Sequence, residues 1–277
     1  MGLPTTHLFW LGADNSHCHD STPDAHRPLR LLESKFEPIE EGDLAHVGIG
    51  VATGCDDVFI VDKDSDIESE RLLPLVMRDD IEHGRIRNAG RFVINTFRDQ
   101  GGAVDLHEYP KLAGYLKANT KAVRKRHVAK KSPANWFRTI DRVYPELVTK
   151  PKLLIPDIAG SNEVAYDEGL FHPHHNLYFV TSDRWDMEVL GGLLSSRVAL
   201  FFVWSYAVKM RGGYLRFQAQ YLRRIRLPAP DTLSPALRVA IKKAFQRRDF
   251  AKLDELALKA YGIGALPAFE FVDTRGR

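Results

Sequence analysis

An α+β fold is what the sequence predicts, and three observations carry the prediction. Short apolar or β-branched runs alternate with helical patterns, without the regular strand–helix–strand rhythm of a parallel α/β sheet. The 277 residues are 44% hydrophobic and 27% charged, which suits a globular chain with a real core rather than a disordered one. The 20 glycines and 15 prolines punctuate the chain irregularly, with no period that would build a solenoid. The expected architecture is mixed small sheets and helices. Three stretches follow: 1–35 as a linker or extended arm, 36–230 as one mixed domain, and 231–277 as a C-terminal helical section.

Each element has its local reason. The arm carries Pro4, Pro23, Pro28 and four histidines, an irregular composition. His46 to Val51 and Val58 to Asp62 are β-branched runs around Thr53-Gly54-Cys55-Asp56-Asp57, which predicts a hairpin or strand–turn–strand. Leu72 to Met77 is short and apolar, and Arg91 to Thr96 reads as a strand. From Tyr109 to about Lys131, Leu112, Tyr115, Leu116 and Val123 recur at helical spacing, until Pro133 stops the helix. Lys152 to Ile155 and Asn176 to Thr181 are strand-like. Met187 to Lys209 reads as one long buried helix ended by Arg211-Gly212-Gly213-Tyr214, since glycine permits positive φ. Ser234-Pro235 opens the last helical section, and Gly262 and Gly264 punctuate its end.

Composition excludes several classes. Cys18 and Cys55 are the two cysteines, too few for a disulfide scaffold, so a reducing, cytoplasmic setting is expected. Val198 to Val208 is too short to span a bilayer and Arg197 closes one side, so no membrane partner is expected. The N-terminus lacks the basic start and apolar run of a signal peptide. The net charge of +3 hides a bipolar chain. Residues 56–82 hold ten acids against three bases, whereas 121–142 hold eight bases against Asp141, and 209–226 hold six bases and no acid. Such runs can be merely solvated faces. Aromatics beside both (Trp136, Phe137, Tyr144; Tyr214, Phe217, Tyr221) favour a polyanion partner.

Other chemistry is weakly supported. Gly48 to Gly54 lacks both the G-x-G-x-x-G spacing and a following Lys-Ser/Thr pair, so a structural turn is expected rather than a phosphate cradle. His172-Pro173-His174-His175 and His17-Cys18-His19 contain zinc-type donors without paired spacing; the expectation is a polar loop with solvated histidines and no metal. Asp157 and Glu163 flank a loop without a lysine at Glu-x-Lys spacing, again a poor metal site. No G-x-S-x-G elbow exists, so no catalytic residue is assigned.

Taken in order, several segments resemble the C-terminal target-recognition domain of the TaqI-like and Eco57I-like adenine-N6 DNA methyltransferases of type II and type IIG restriction–modification systems. They are Ile49 to Gly54 with Val58 to Val61, Leu72 to Val76, Arg91 to Thr96, and Tyr109 to Leu112 with the basic helix. Trp136 to Arg138, Lys150 to Asp157 and Tyr221 to Pro230 continue the match, which covers about 36–230. The most specific portion runs from Arg211-Gly212-Gly213-Tyr214 through Arg216-Phe217 and Gln220-Tyr221-Leu222 to Pro228-Ala229-Pro230.

The resemblance implies sequence-specific binding of double-stranded DNA, positioned for an N-terminal methyltransferase domain or subunit that uses S-adenosylmethionine. That family's catalytic Asn/Asp-Pro-Pro-Tyr/Phe motif is missing, since the chain has no Pro-Pro pair. The expectation is the C-terminal part of a longer enzyme, with no cofactor of its own and with Mg²⁺ only if a nuclease is fused. Lys121, Arg124, Lys125, Arg126, Lys130 and Lys131 are expected on phosphates, and six such contacts would weaken binding about 10³-fold between roughly 50 and 200 mM salt. Arg138, Arg142, Arg211 and Gln220 are candidates for base edges, with Gly212, Gly213, Tyr214 and Arg216 completing the DNA-binding set. The alternatives are a metal-dependent nuclease-type hydrolase on Asp157 and Glu163, or a protein-interaction module using the C-terminal helices.

Overall fold

A computed structural model describes residues 27–87, 89–160 and 163–273. The part of the expected arm at 1–26, with His17-Cys18-His19, lies outside the described residues. In chain order the main elements are α1 (Arg27–Lys35), β1 (His46–Ile49), α2 (Asp56–Phe59), β2 (Ile60–Asp62), β3 (Leu72–Val76) and β4 (Arg91–Ile94). Next come α3 (Pro110–Ala118), α4 (Thr120–Arg124), α5 (His127–Lys131), β5 (Lys152–Pro156), β6 (Ala165–Asp167), β7 (His172–Pro173) and β8 (Leu177–Thr181). The chain ends in α6 (Met187–Leu194), α7 (Arg197–Tyr206), α8 (Pro235–Arg247) and α9 (Phe250–Tyr261). The class is α+β, as the sequence predicts.

Two four-stranded sheets organise the fold. The first has the order β6-β5-β8-β1 and is antiparallel throughout, with Tyr178 opposite both Ile155 and Ile49. The second has the order β7-β3-β4-β2, with β7 parallel to β3 and the rest antiparallel. β5 is buried at every position because both of its faces are covered. Leu153 and Ile155 join the core shared with α6 to α9, while Leu154 packs with Val76 and Ile81 on the side of the second sheet. The other side of the second sheet packs on α3 and α4 through Phe59, Ile94, Leu112, Leu116 and Val123.

Several expectations are corrected by packing. α1 is no linker: Leu29 and Leu32 enter the main core beside Tyr261 of α9. The run after Gly54 is not the second arm of a hairpin; it forms α2 and then β2, which belongs to the second sheet while β1 belongs to the first. The helix predicted over Tyr109–Lys131 is three short ones. Asn119 and Thr120 turn their side chains back onto the carbonyls of Tyr115, Leu116 and Lys117, competing with helix continuation. Arg126 is extended, at φ −65° and ψ 148°, and like charges spaced along one helix would repel. The long helix at 187–209 is also broken, into α6 and α7, which meet at 57°. There Ser196 caps Ala199, and Asp254 of α9 accepts the Arg197 N–H at 2.7 Å. No single helix among the described residues is long and apolar enough to cross a membrane.

The C-terminal helices follow their signals closely. Ser234 accepts from the Leu237 N–H, and Gly262 ends α9 at φ +60°, as capping chemistry requires. They are not an appended section, because Ile241, Phe245, Leu253 and Leu256 share one core with β5 and β8.

Candidate nucleic-acid interface

The first basic segment is mounted on the far side of the second sheet. Val123 is fully buried against the Phe59–Leu112 core, and this anchor turns its polar neighbours outward. Lys121, Arg124, Lys125, Lys130 and Lys131 are exposed. Among the described residues, none of these five cations pairs with a carboxylate; the ion pairs of the fold use other bases. Arg124 instead lies over the Trp136 ring, 4.7 Å from its centroid. An unpaired cation beside an aromatic face is a suitable surface for a phosphate chain.

Glu68 fixes how the segment starts. Its carboxylate accepts the Lys111 and Leu112 N–H groups at 2.8 and 2.9 Å, closing the N-terminus of α3 from 43 residues before Lys111. Burial alone would raise this carboxyl, but the backbone donors and Lys111 outweigh it and hold it below the usual range. The expected acidic face is therefore partly consumed: Asp80 is buried on Arg91 at 2.8 Å and Asp66 pairs with Lys111.

Arg126 corrects the predicted phosphate set. It is 9% exposed, and its guanidinium donates to the carbonyls of Val123, Thr53, Trp136 and Arg138 at 2.8 to 3.0 Å. Its other face covers the Phe59 ring. Five donors in a rigid fork suit this clamp, which ties the basic helices to the turn after β1 and to the turn at 136–138. Arg138 and Arg142 are half-buried. Arg142 stacks on Tyr144 and donates to the Asp99 carbonyl, which brings in a hairpin tip that the sequence reading missed. There Arg98 and Gln100 are exposed on a turn through Gly101 and Gly102. Asp-Gln-Gly-Gly between two apolar runs was the available signal.

The second basic segment is differently used. Arg211, Gly212, Gly213 and Tyr214 form an exposed turn, with both glycines at positive φ (+83° and +79°) and with Lys209 paired to Leu215 across it. Arg216 is held bidentately by Asp157, at 2.6 and 3.1 Å. Arg223 pairs with Glu40 at 2.7 Å, and Arg224 lies over Tyr206. Arg211 and Gln220 remain exposed. Among the described residues, no hydrogen bond, ion pair or ring contact joins this segment to the first.

The remaining predicted motifs are structural or relocated. A Cβ at Gly50 would lie 2.2 Å from the His174 carbonyl oxygen, so that glycine serves a close strand approach, not a nucleotide. Asp157 is engaged by Arg216, and Glu163 by Arg78 at 3.4 Å. The histidines are not a solvated loop: His172 and His174 are each 2% exposed, because β7 lies beside β3 and His174 donates its N–H to Val76. Burial pushes His172 down to about 4, with Lys152 adding to the effect.

Residues 106–227 match the family model of the TaqI-like C-terminal specificity domain. That stretch contains both basic segments and the sheet strands between them. Over residues 106–227 the chain is thus similar to a TaqI-like specificity domain. The chain's relatives include the type II methyltransferase M.PaeR7I of Pseudomonas aeruginosa, 49% identical over 236 residues, or 85% of this chain and 41% of that protein. M.BstVI of Geobacillus stearothermophilus is 47% identical over 238 residues, covering 84% of this chain and 42% of its own length. M.XhoI of Xanthomonas vasicola is 46% identical over 236 residues, at 85% and 43%. The chain thus spans about two fifths of the length of these relatives. Two solved structures share the fold at low identity. The type IIL restriction–modification enzyme MmeI in complex with DNA has a TM-score of 0.59 and 14% identity, over 83% of this chain and 34% of that one. The type IIG restriction endonuclease BpuSI has a TM-score of 0.52 and 13% identity, over 83% and 32%.

Proposed function

We propose that this chain is the target-recognition part of an adenine-N6 DNA methyltransferase of a type II restriction–modification system, working in the cytoplasm on double-stranded DNA. It grips the duplex and presents it to an N-terminal methyltransferase domain or subunit, which transfers the methyl group from S-adenosylmethionine. The observation that carries this reading is the cluster of five exposed, unpaired cations around the Arg124–Trp136 stack, framed by the buried Arg126 clamp. These side chains hold phosphates by charge alone. Arg138, Arg142 and the tip at Arg98 and Gln100 supply donors suited to base edges. Clamping of the duplex helps the partner extrude its adenine.

Titrating labelled duplex DNA against salt tests the proposal. With Arg126 removed from the count, five phosphate contacts predict a log–log slope of about −4.5 and a loss of about 500-fold between roughly 50 and 200 mM salt. Binding without a salt slope, or no binding, sinks the DNA grip. Methyl transfer to adenine by this chain alone would overturn the division of labour.

A further inference from the structure

Three side chains outside the proposed DNA surface converge where the two sheets meet. Asp56 opens α2, and His174 and His175 form the link from β7 to β8. His174 Nε2 lies 3.1 Å from Asp56 Oδ2 and 2.9 Å from His175 Nδ1, and all three atoms are within 4.8 Å of one another. Backbone pairing fixes the link: His174 donates to Val76 of β3, and His175 donates to Val51 after β1. The buried Thr53 hydroxyl donates to Asp56 Oδ1, leaving Oδ2 directed at the histidines.

Protons satisfy this arrangement poorly. A single His174 Nε2 faces both a carboxylate and a second imidazole nitrogen. If it carries a proton, Asp56 and the Nδ1 lone pair of His175 compete for that single N–H. If it accepts from His175, its lone pair faces the carboxylate oxygen. A cation at the focus meets all three lone pairs at once. Zinc–nitrogen bonds near 2.0–2.1 Å place tetrahedral ligands about 3.3 Å apart, close to the 3.1 and 2.9 Å that separate His174 Nε2 from the other two atoms. Two imidazoles and one carboxylate are the donor set of late first-row divalent ions, not of Mg²⁺.

We propose that Asp56, His174 and His175 bind a divalent cation of the zinc class, which pins the joint between the two sheets. Asp56 and His175 are reachable from solvent, with side chains partly or largely exposed, so water can complete the coordination. A carboxylate oriented by Thr53 is the outer-shell support that such sites use. The joint lies against the turn whose Thr53 carbonyl Arg126 holds, so the metal would stiffen the mount of the first basic segment.

The test uses the full chain stripped with a chelator and titrated with Zn²⁺ against a chromophoric competitor. One equivalent should bind, and the melting temperature should rise by about 5 °C at a hundredfold excess over Kd. His175→Ala and Asp56→Asn, both at positions open to solvent, should keep the metal-free melting temperature and weaken binding at least tenfold. X-ray absorption at the zinc edge should show nitrogen and oxygen ligands without sulfur. Absence of a stoichiometric Zn²⁺ equivalent overturns the proposal. So does binding that both variants retain, because residues 1–26 hold other donors, including His17, Cys18 and His19. Equal binding of Mg²⁺ overturns the assignment to the zinc class.

Discussion

Two basic segments of nearly equal charge meet opposite fates in this fold. In 121–131 the cations stand on short helices whose acids lie elsewhere, and five of them reach solvent with no carboxylate partner among the described residues. In 209–226 three of the arginines are spent on the chain itself, Arg216 on Asp157, Arg223 on Glu40 and Arg224 on Tyr206, while Arg211 stays exposed. The difference teaches that a charge run identifies a DNA surface only after its intramolecular partners are counted. Even within the first segment, Lys125 is exposed whereas its neighbour Arg126 is an internal brace.

The comparison can be broken most directly by removing the free cations. Replacing Lys121, Arg124, Lys125, Lys130 and Lys131 with Gln should weaken binding at low salt and abolish most of the salt slope, so that the loss of about 500-fold between roughly 50 and 200 mM salt nearly disappears. An unchanged slope in that variant would move the interface elsewhere. Arg126→Ala should act differently, lowering unfolding free energy by about 2–4 kcal/mol in denaturant titration. Arg126→Lys should not restore it, because an ammonium cannot span four carbonyls.

Acid provides a third test, since His172 Nε2 accepts the Tyr144 N–H that braces the ring under Arg142. The native pKa of His172 is depressed to about 4 from 6.5, so the unfolded state binds the extra proton. Stability is complete above pH 6.5 and declines as pH falls toward 4, by on the order of 3 kcal/mol from this group. Thermal melts across that window should show the slope, and His172→Gln should flatten it. The smallest effect belongs to the second segment. Arg223→Gln should cost under about 1 kcal/mol of stability, as exposed pairs do, while leaving the DNA salt slope intact. A reduced slope there would show that the paired arginines also reach DNA.

How much of this was legible beforehand varies with the range of the deciding contact. Strands β3, β4, β5 and β8 follow their β-branched runs, and α8 begins at Ser234-Pro235 as capping predicts. Helices were overextended at 119–126 and at 195–196 because the breaks depend on side chain–backbone bonds and on Asp254 of another helix. The histidine pattern suggested zinc-type donors, but its third member, Asp56, lies 118 residues away from His174 and no spacing rule could supply it.

The sequence by itself determined the α+β class, the bipolar charge and the family resemblance, because all three rest on composition, local periodicity or motif order. The tertiary structure alone decided which cations are available. Arg216 meets Asp157 across 59 residues and Arg223 meets Glu40 across 183, whereas Lys121, Arg124, Lys125, Lys130 and Lys131 meet no acid among the described residues. Coulomb attraction acts through space and falls with distance, so chain neighbours cannot reveal whether a charge is neutralised; only the folded positions of its distant partners do.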